Sequence, residues 1–337
     1  MSTDFILTRD KRVGALKRLP VPALGRAYAA LFGPFAVLLC ALPFFASGYV
    51  VTLAVEVMIA GVFASGINLL TGYTGLVSLG QAMFLGFGGY GIAIGTALLG
   101  WPLWVSAPVT LVLVAVIAAA IGAICTRTRG VEFLLITLAF SQMFYGAAIK
   151  LRWTNGSDGM TGIPRPDLSL LGLNADNPTA FYYYVLSVAA LALLMLWRIV
   201  TSPFGSVLVG IRENERRMTS MGYAVANYKI GSFALAAVTC AVAGILQSQY
   251  TYFVNPDAMS WQMSGEGVLM VIIGGANVIL GPLVGAAVFV VVKQALSMIT
   301  EEYNLFFGIF FMLVVAFFRG GVLGAISKLI GKRHERA

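Results

Sequence analysis

The stretch 103–125, LWVSAPVTLVLVAVIAAAIGAIC, contains no charged side chain. An apolar run of about 20 residues has the length of an α-helix that crosses ~30 Å of hydrocarbon. Comparable runs recur along the chain, which has 337 residues and is 59% hydrophobic but only 11% charged. A soluble domain carries roughly twice that charged fraction. The sequence therefore predicts an all-α integral membrane protein that crosses the bilayer many times.

We predict about ten transmembrane helices, with both termini on the cytoplasmic side of the membrane. The eighth is short and rich in glycine, so we expect it to be broken or re-entrant. The predicted spans are 30–46, 50–70, 74–99, 103–125, 131–150, 179–199, 230–251, 265–280, 281–299 and 304–324.

Basic residues support this topology. Most of the 22 lysines and arginines fall in segments that ten spans place on one face, the pattern of cytoplasmic loops. The formal net charge of +8 is thereby explained without nucleic acid, which we do not expect as a partner. The basic segments are 9–26, 127–129, 212–217 and 319–336.

The composition gives no sign of catalysis. Cys40, Cys125 and Cys240 lie in or at the end of apolar runs, where buried small side chains are expected, and His334 is in the C-terminal tail. We see no nucleophile–base pair and no P-loop, and we predict no metal and no cofactor. The motif GFGGYG at 86–91 matches G-x-G-x-x-G, but inside an apolar run it indicates close helix packing.

Charged groups inside spans are costly and therefore candidates for function. Glu56 and Lys293 each lie about six residues inside one end of a span, ~9 Å below the same surface at 1.5 Å per residue. They form a possible ion pair, and Glu266 is a competing partner for Lys293. The alternative is that each charge snorkels to the interface. The polar amides Asn68 and Gln81, which lie within or near spans, are expected to bond between helices or to line a substrate path.

The loop 200–229 is the most specific signal. It contains SPFGSVLVGIRENERRMTSMGYAVANYK at 202–229, which predicts an amphipathic helix from Leu208 to Met221 with Gly222 as its C-terminal stop. We expect charges on one side of this helix; a helix that merely lies on the membrane surface is the alternative. The other side is expected to hold Val207, Ile211, Met218 and Met221.

The stretch from Gly205 to Phe233 resembles the signature loop of permease subunits of branched-chain amino acid ABC importers, specifically the M-type permease. The resemblance covers about residues 50–325. Further similar blocks follow in order: NLLTGYTGLVSLGQ at 68–81, Arg129-Gly130, ITL at 136–138, TNGSDGMTGIP at 154–164, WQMSGE at 261–266, Gly274-Gly275, Gly281-Pro282, Phe318-Arg319 and Gly324. The chain departs from the usual family residues at Asn277, Arg216, Met218 and Gly320.

The resemblance implies a non-catalytic subunit of a bacterial inner-membrane importer that works by alternating access. Its partners would be a second homologous permease, two ATP-binding subunits and a periplasmic solute-binding protein. It also implies that the helix in loop 200–229 docks on an ATP-binding subunit, through Arg212, Glu213, Asn214, Arg217, Met218 and Gly222. The substrate path would involve Glu56, Asn68, Gln81, Glu266 and Lys293.

The domain organisation follows from these assignments. We expect a basic cytoplasmic tail at 1–28, a transmembrane permease domain at 29–325 and a second basic tail at 326–337. The solute would be a branched-chain amino acid or a related small molecule, since urea, amide and aromatic-acid importers resemble the same scaffold. An ion-coupled secondary transporter is the alternative, and it would need carboxylates near the middle of the membrane.

Overall fold

The computed structural model describes residues 39–166, 177–276 and 278–299, together with residues 305, 306, 308, 309 and 312. The expected tails at 1–28 and 326–337 lie outside these ranges, as does most of the expected first and tenth spans. The chain divides into two compact units after Gly48. In the first, residues 39–45 are helical. The elements that follow belong to the second, apart from the first residue of the first helix.

The described fold is helical, with one two-residue strand pair. Strand β1, Met160–Thr161, runs antiparallel to β2, Phe253–Val254, with Met160 opposite Val254. Short 3-10 turns occur at Arg152–Thr154, Gly156–Asp158 and Pro256–Met259. The α-helices are α1 Gly48–Asn68, α2 Gln81–Ala93, α3 Leu103–Cys125, α4 Val131–Lys150, α5 Pro178–Thr201, α6 Pro203–Ser220, α7 Val225–Thr251, α8 Trp261–Gly274 and α9 Gly281–Ile299.

Within the described ranges, seven helices are long and apolar enough to cross a bilayer. They are α1 to α5, α7 and α9, where α1 and α2 are extended by π-helical turns at Leu69–Thr74 and Ile94–Leu98. A multi-helix membrane protein is therefore confirmed. Ten spans and the side on which each terminus lies remain predictions.

The expected third span, 74–99, is wrong at its start. The first helical rod continues to Thr74, and Gly75 then adopts the left-handed conformation with φ +78°. The Leu76 N–H donates to the Leu70 carbonyl at 3.0 Å, which closes the helix end. Residues 75–80 are not helical, so α2 begins only at Gln81.

Two other expected spans differ from the structure. Helix α7 starts at Val225 rather than 230, because its first turn is polar and hydrophobicity alone misses it. Helix α8 has 14 residues, or ~21 Å of helix, too short to cross ~30 Å of hydrocarbon. The expectation of a broken eighth span agrees with this helix, which covers 261–274 rather than 265–280.

Helix α2 is the centre of the second unit, and most of its residues are buried. It packs against α7 through glycines that let the two backbones touch. A Cβ atom on Gly88 would lie 2.1 Å from the Ala241 carbonyl oxygen, and one on Gly244 would lie 1.9 Å from the Leu85 carbonyl oxygen. The glycine motif at 86–91 thus serves close helix packing, as expected.

Helix α2 begins inside the bundle. The Ala82 N–H donates to the Ser264 hydroxyl of α8 at 2.9 Å. A Cβ atom on Gly80 would lie 2.5 Å from the carbonyl oxygen of Thr137, a buried residue of α4. Residues 75–80 therefore return into the bundle after α1 has ended. Unwound backbone of this kind is tolerated at membrane depth only where protein surrounds it.

Helices α8 and α9 form a hairpin that packs along α1. The turn is tight, because a Cβ atom on Gly274 would lie 1.7 Å from the Gly281 carbonyl oxygen. Leu283 of α9 contacts Gly61 of α1. The free ends of the hairpin consequently lie toward the beginning of α1, and its turn lies toward the end of α1.

Replacing Gly88 by alanine tests the contact between α2 and α7. The added methyl group meets backbone that cannot rotate away, so we expect the free energy of unfolding to fall by about 1–3 kcal/mol. Thermal unfolding of the purified protein in detergent measures this change. Gly146→Ala is the matched control, because a Cβ atom there meets nothing within 4 Å. Equal melting temperatures for the two variants would contradict the packing described.

Candidate functional site

Two charged regions lie at opposite ends of the second unit. The first is α6, which packs against the π-helical end of α1 at Leu69–Thr74 and against the start of α7. The second is a cavity near the beginning of α1 and the end of α7. Both regions contain residues that the sequence suggested as functional.

Helix α6 begins and ends earlier than expected, at Pro203 and Ser220 rather than Leu208 and Met221. Pro203 occupies the first helical turn, where its missing N–H costs nothing. At Asn214 the backbone leaves helical geometry (φ −159°, ψ 94°), so α6 consists of two arms. The Asn214 side-chain oxygen accepts from the Arg217 N–H at 3.0 Å and caps the second arm.

The first arm packs its apolar side onto the bundle. Val207, Leu208 and Ile211 are buried, and Val207 and Ile211 form a small core with Val225 of α7. The bend brings Met218 back against Gly210, where a Cβ atom would lie 2.8 Å from the methionine sulfur. Met221 was expected on this apolar side but is 65% exposed. The expectation is wrong because it assumed one straight helix.

Gly222 ends the second arm, as the sequence predicted. Its φ of +86° is favourable only for glycine. The Tyr223 N–H donates to the Met218 carbonyl at 3.2 Å, and the Gly222 N–H donates to the Thr219 carbonyl at 3.0 Å. This pair of bonds is the Schellman motif, which satisfies the last carbonyls of the helix.

Arg212 connects α6 to the end of α1. Its guanidinium donates to the Gly72 carbonyl in the π-helical turn. Its aliphatic stem covers Gly75, where a Cβ atom would lie 2.6 Å from the Arg212 Cγ atom. Arg212 thus contacts the backbone on both sides of the point where the chain turns back into the bundle.

Glu215 connects the second arm to α7, and the sequence did not suggest this residue. Its Oε1 atom lies 2.8 Å from the Lys229 ammonium and 3.2 Å from the Arg129 guanidinium. The Lys229 side chain is only 3% exposed, so its charge depends on this carboxylate. A lysine one turn inside a membrane helix, with glutamates in the charged segment that precedes it, is the signal that could have revealed the pair.

The remaining candidates on α6 face outward. Glu213, Asn214 and Arg217 are exposed, and Arg216 lies exposed beside them. Met218 is half-buried under the bend. The bent helix therefore presents a charged surface, with the exposed Met221 at its end, while its other side is fixed to two membrane helices.

The cavity at the other end has a volume of about 340 Å³. Five helices supply its walls, which are apolar except for three charged side chains and the polar Gln247, Tyr250 and Thr251. The lining residues are Glu56, Ile59, Ala60, Phe63, Leu85, Gln247, Tyr250, Thr251, Met263, Glu266, Met270, Phe289, Val290 and Lys293.

Lys293 is paired with Glu266, not with Glu56. Its ammonium lies 3.1 and 3.2 Å from the two Glu266 oxygens. The tight hairpin of α8 and α9 sets this register and brings the two side chains opposite each other. Glu56 faces the same cavity and interacts electrostatically with Lys293. Of the two partners that the sequence left open, the structure selects Glu266.

Asn68 and Gln81 do not line this cavity. The buried Asn68 amide donates to the Val278 carbonyl at 3.1 Å and so connects the end of α1 to the turn between α8 and α9. The buried Gln81 lies beside Cys240, with 3.7 Å between its oxygen and the sulfur. Gln81 is one helical turn before Leu85, which lines the cavity, so it lies on the same face of α2 but one turn beyond the cavity.

The cysteines and the acidic groups offer no metal centre in the described part of the chain, where no three His, Cys, Asp or Glu residues come together. Cys125 and Cys240 are buried, as expected. Cys40 is exposed, contrary to expectation.

Comparison with known proteins identifies related sequences. Residues 49–316 match the family described as branched-chain amino acid transport system / permease component. The high-affinity branched-chain amino acid transport system permease protein LivM of Escherichia coli is 25% identical over 291 residues, 80% of this chain and 68% of that protein. LivM of Salmonella typhimurium matches with the same identity and coverage.

A relative named for a different solute also matches. The autoinducer 2 import system permease protein LsrD of Klebsiella pneumoniae is 25% identical over 252 residues, 67% of this chain and 73% of that protein. No solved structure matches the chain. The resemblance to M-type permeases drawn from the motifs is confirmed by the family match and the LivM relatives.

Removing Lys293 tests the pairing in the cavity. Lys293→Ala leaves two unneutralised carboxylates in a largely apolar space, so we expect a lower melting temperature in detergent. Adding Glu266→Ala should recover much of the loss, because it removes the partner that was left unpaired. Adding Glu56→Ala instead should recover less. Equal recovery by both second changes would mean that Lys293 serves the two carboxylates alike.

The Glu215–Lys229 pair allows a similar test on α6. Glu215→Ala leaves the buried Lys229 ammonium without its carboxylate. We therefore expect the free energy of unfolding to fall by about 2 kcal/mol, which lies between the losses typical of breaking an exposed and a buried ion pair. The neighbouring Glu213→Ala is the matched control, since Glu213 is exposed. Lys229→Met combined with Glu215→Leu should restore stability. Equal losses for Glu213→Ala and Glu215→Ala would argue against the pair.

Proposed function

This chain belongs to the family of permease components of branched-chain amino acid transport systems, and we propose that it forms half of the translocation path of a binding-protein-dependent ABC importer. It would lie in the bacterial inner membrane as a multi-pass protein with cytoplasmic termini and with α6 on the cytoplasmic side. The solute would be a branched-chain amino acid or a related small molecule, in keeping with the LivM relatives.

The observation that carries this proposal is the form of α6. A bent helix presents Glu213, Asn214 and Arg217 outward and is fixed at two points to membrane helices. A helix that only rested on the lipid surface would not need a backbone contact through Arg212 or a buried ion pair through Glu215. Such a helix is suited to receive a force from a docked protein and to pass it into the bundle.

The proposed mechanism follows these contacts. Closure of the ATP-binding subunits pushes on α6, and Arg212 passes the movement to the end of α1 and to residues 75–80. Glu215 passes it to α7 through Lys229. Because α2 and α7 touch backbone to backbone, these two helices would move together. The cavity between α1, α2, α7, α8 and α9 would then open and close in turn.

The partners are proposed on the same basis. They are a second, homologous permease, two ATP-binding subunits and a periplasmic solute-binding protein. ATP hydrolysis would reside on the ATP-binding subunits, so this chain would not be an enzyme. Of the candidate path residues, we assign Glu56, Glu266 and Lys293 to the solute path. Asn68 and Gln81 would hold helices together.

Uncoupling of transport from ATP hydrolysis tests this function. In the importer reconstituted with its partners, Gly222→Val combined with Arg212→Ala should lower solute uptake per ATP hydrolysed several-fold. Valine is strained at φ +86°, and the loss of Arg212 frees α6 from α1. Uptake and ATPase activity are measured in the same proteoliposomes.

Gly162→Val is the matched control for strain. Gly162 also has a positive φ of +76°, with nothing within 4 Å of its Cβ position, but it lies in the loop after α4, away from α6. Normal uptake per ATP in the α6 variant would count against the docking role. Uptake by the chain alone, driven by a proton or sodium gradient, would favour a secondary transporter instead.

A further inference from the structure

The cavity wall carries two carboxyl groups, Glu56 and Glu266, and one amino group, Lys293. Glu266 and Lys293 satisfy each other, because both carboxylate oxygens lie within 3.2 Å of the ammonium. Glu56 is the second carboxylate on the cavity wall. Within the described ranges, it forms no hydrogen bond or salt bridge; its interactions with Lys293 and Tyr250 are electrostatic and longer in range. The cavity therefore has a carboxylate in excess of its own cation.

The other walls select for an apolar group. Phe63, Leu85, Met270, Phe289 and Val290 give the lining most of its apolar surface, beside the polar Gln247, Tyr250 and Thr251. A charged group in such surroundings is costly unless a partner charge meets it. The surroundings of Glu56 thus favour a guest that brings a cation at one end and an apolar chain at the other.

We propose that this cavity binds a hydrophobic amino acid, with Glu56 receiving its ammonium group and the apolar walls receiving its side chain. The solute class rests on the proposed function. The carboxylate of the zwitterion shares Lys293 with Glu266, because Lys293 is the only cation on the cavity wall in the described structure. Monocarboxylic acids and neutral amides lack the cation that Glu56 requires, so this site discriminates against both.

Protection of a thiol in the cavity tests the proposal. Thr251 lines the cavity and is exposed at the end of α7, so Thr251→Cys places a reporter there. Cys40→Ser removes the exposed native thiol, and the other described cysteines, Cys125 and Cys240, are buried. The rate of labelling by N-ethylmaleimide is measured on the nucleotide-free importer complex, without transport.

Three probes show which charge of the guest is needed for binding. Leucine carries both charges, isoamylamine lacks the carboxylate, and isocaproate lacks the ammonium. We expect leucine and isoamylamine to slow labelling and isocaproate to leave it unchanged. Glu56→Gln should raise the leucine concentration for half-protection about tenfold, as expected for the loss of one charge-assisted bond. Glu132→Gln, an exposed carboxylate at the start of α4, is the matched control and should leave protection unchanged.

Protection by isocaproate equal to that by isoamylamine would overturn the proposal, as would unchanged protection in Glu56→Gln. If that variant does not fold, the three probes on the reporter protein with Glu56 intact, Thr251→Cys with Cys40→Ser, still decide. The proposed function fails separately. Leucine uptake without the protection pattern would reject this site and keep the importer, whereas the protection pattern without any uptake would keep the site and reject the importer.

Discussion

The contact between the backbones of α2 and α7 is the constraint on which the rest of the structure depends. Gly88 and Gly244 bring the two helices so close that any side chain at these positions would meet a carbonyl oxygen. In lipid, association of helices comes from such packing and not from the exclusion of water. The pair forms the fixed centre around which α1, α3 and α4 and the hairpin of α8 and α9 are arranged.

This centre also links the two charged ends. Helix α7 carries Lys229, held by Glu215 of α6, one turn after its start at Val225, and it ends with Thr251 at the cavity. Helix α2 starts inside the bundle, because residues 75–80 return after the contact with Arg212. A displacement of α6 therefore meets two continuous elements that both reach the cavity. Rigid packing between them favours movement as a body over local deformation.

Sequence reasoning recovered most helices but not their connections. Apolar runs such as 103–125 predicted membrane helices because an uncharged stretch of that length is long enough to span the hydrocarbon core and carries no group that must stay in water. The same criterion extended a span through 75–80, where local hydrophobicity is high but a left-handed Gly75 ends the helix. It predicted Glu56 and Lys293 at one depth but could not choose between Glu56 and Glu266 as partner, since that choice depends on the register of a hairpin.

Composition and motif order by themselves determined the membrane class, the family and the position of the charged loop at 200–229. These properties depend on residue type and local spacing, which a sequence contains directly. The tertiary structure alone decided that α6 bends at Asn214, that Glu215 neutralises Lys229, and that Glu56 is left as the surplus carboxylate of a cavity. Each of these depends on how helices and side chains pack against one another in space, which residue type and local spacing do not specify.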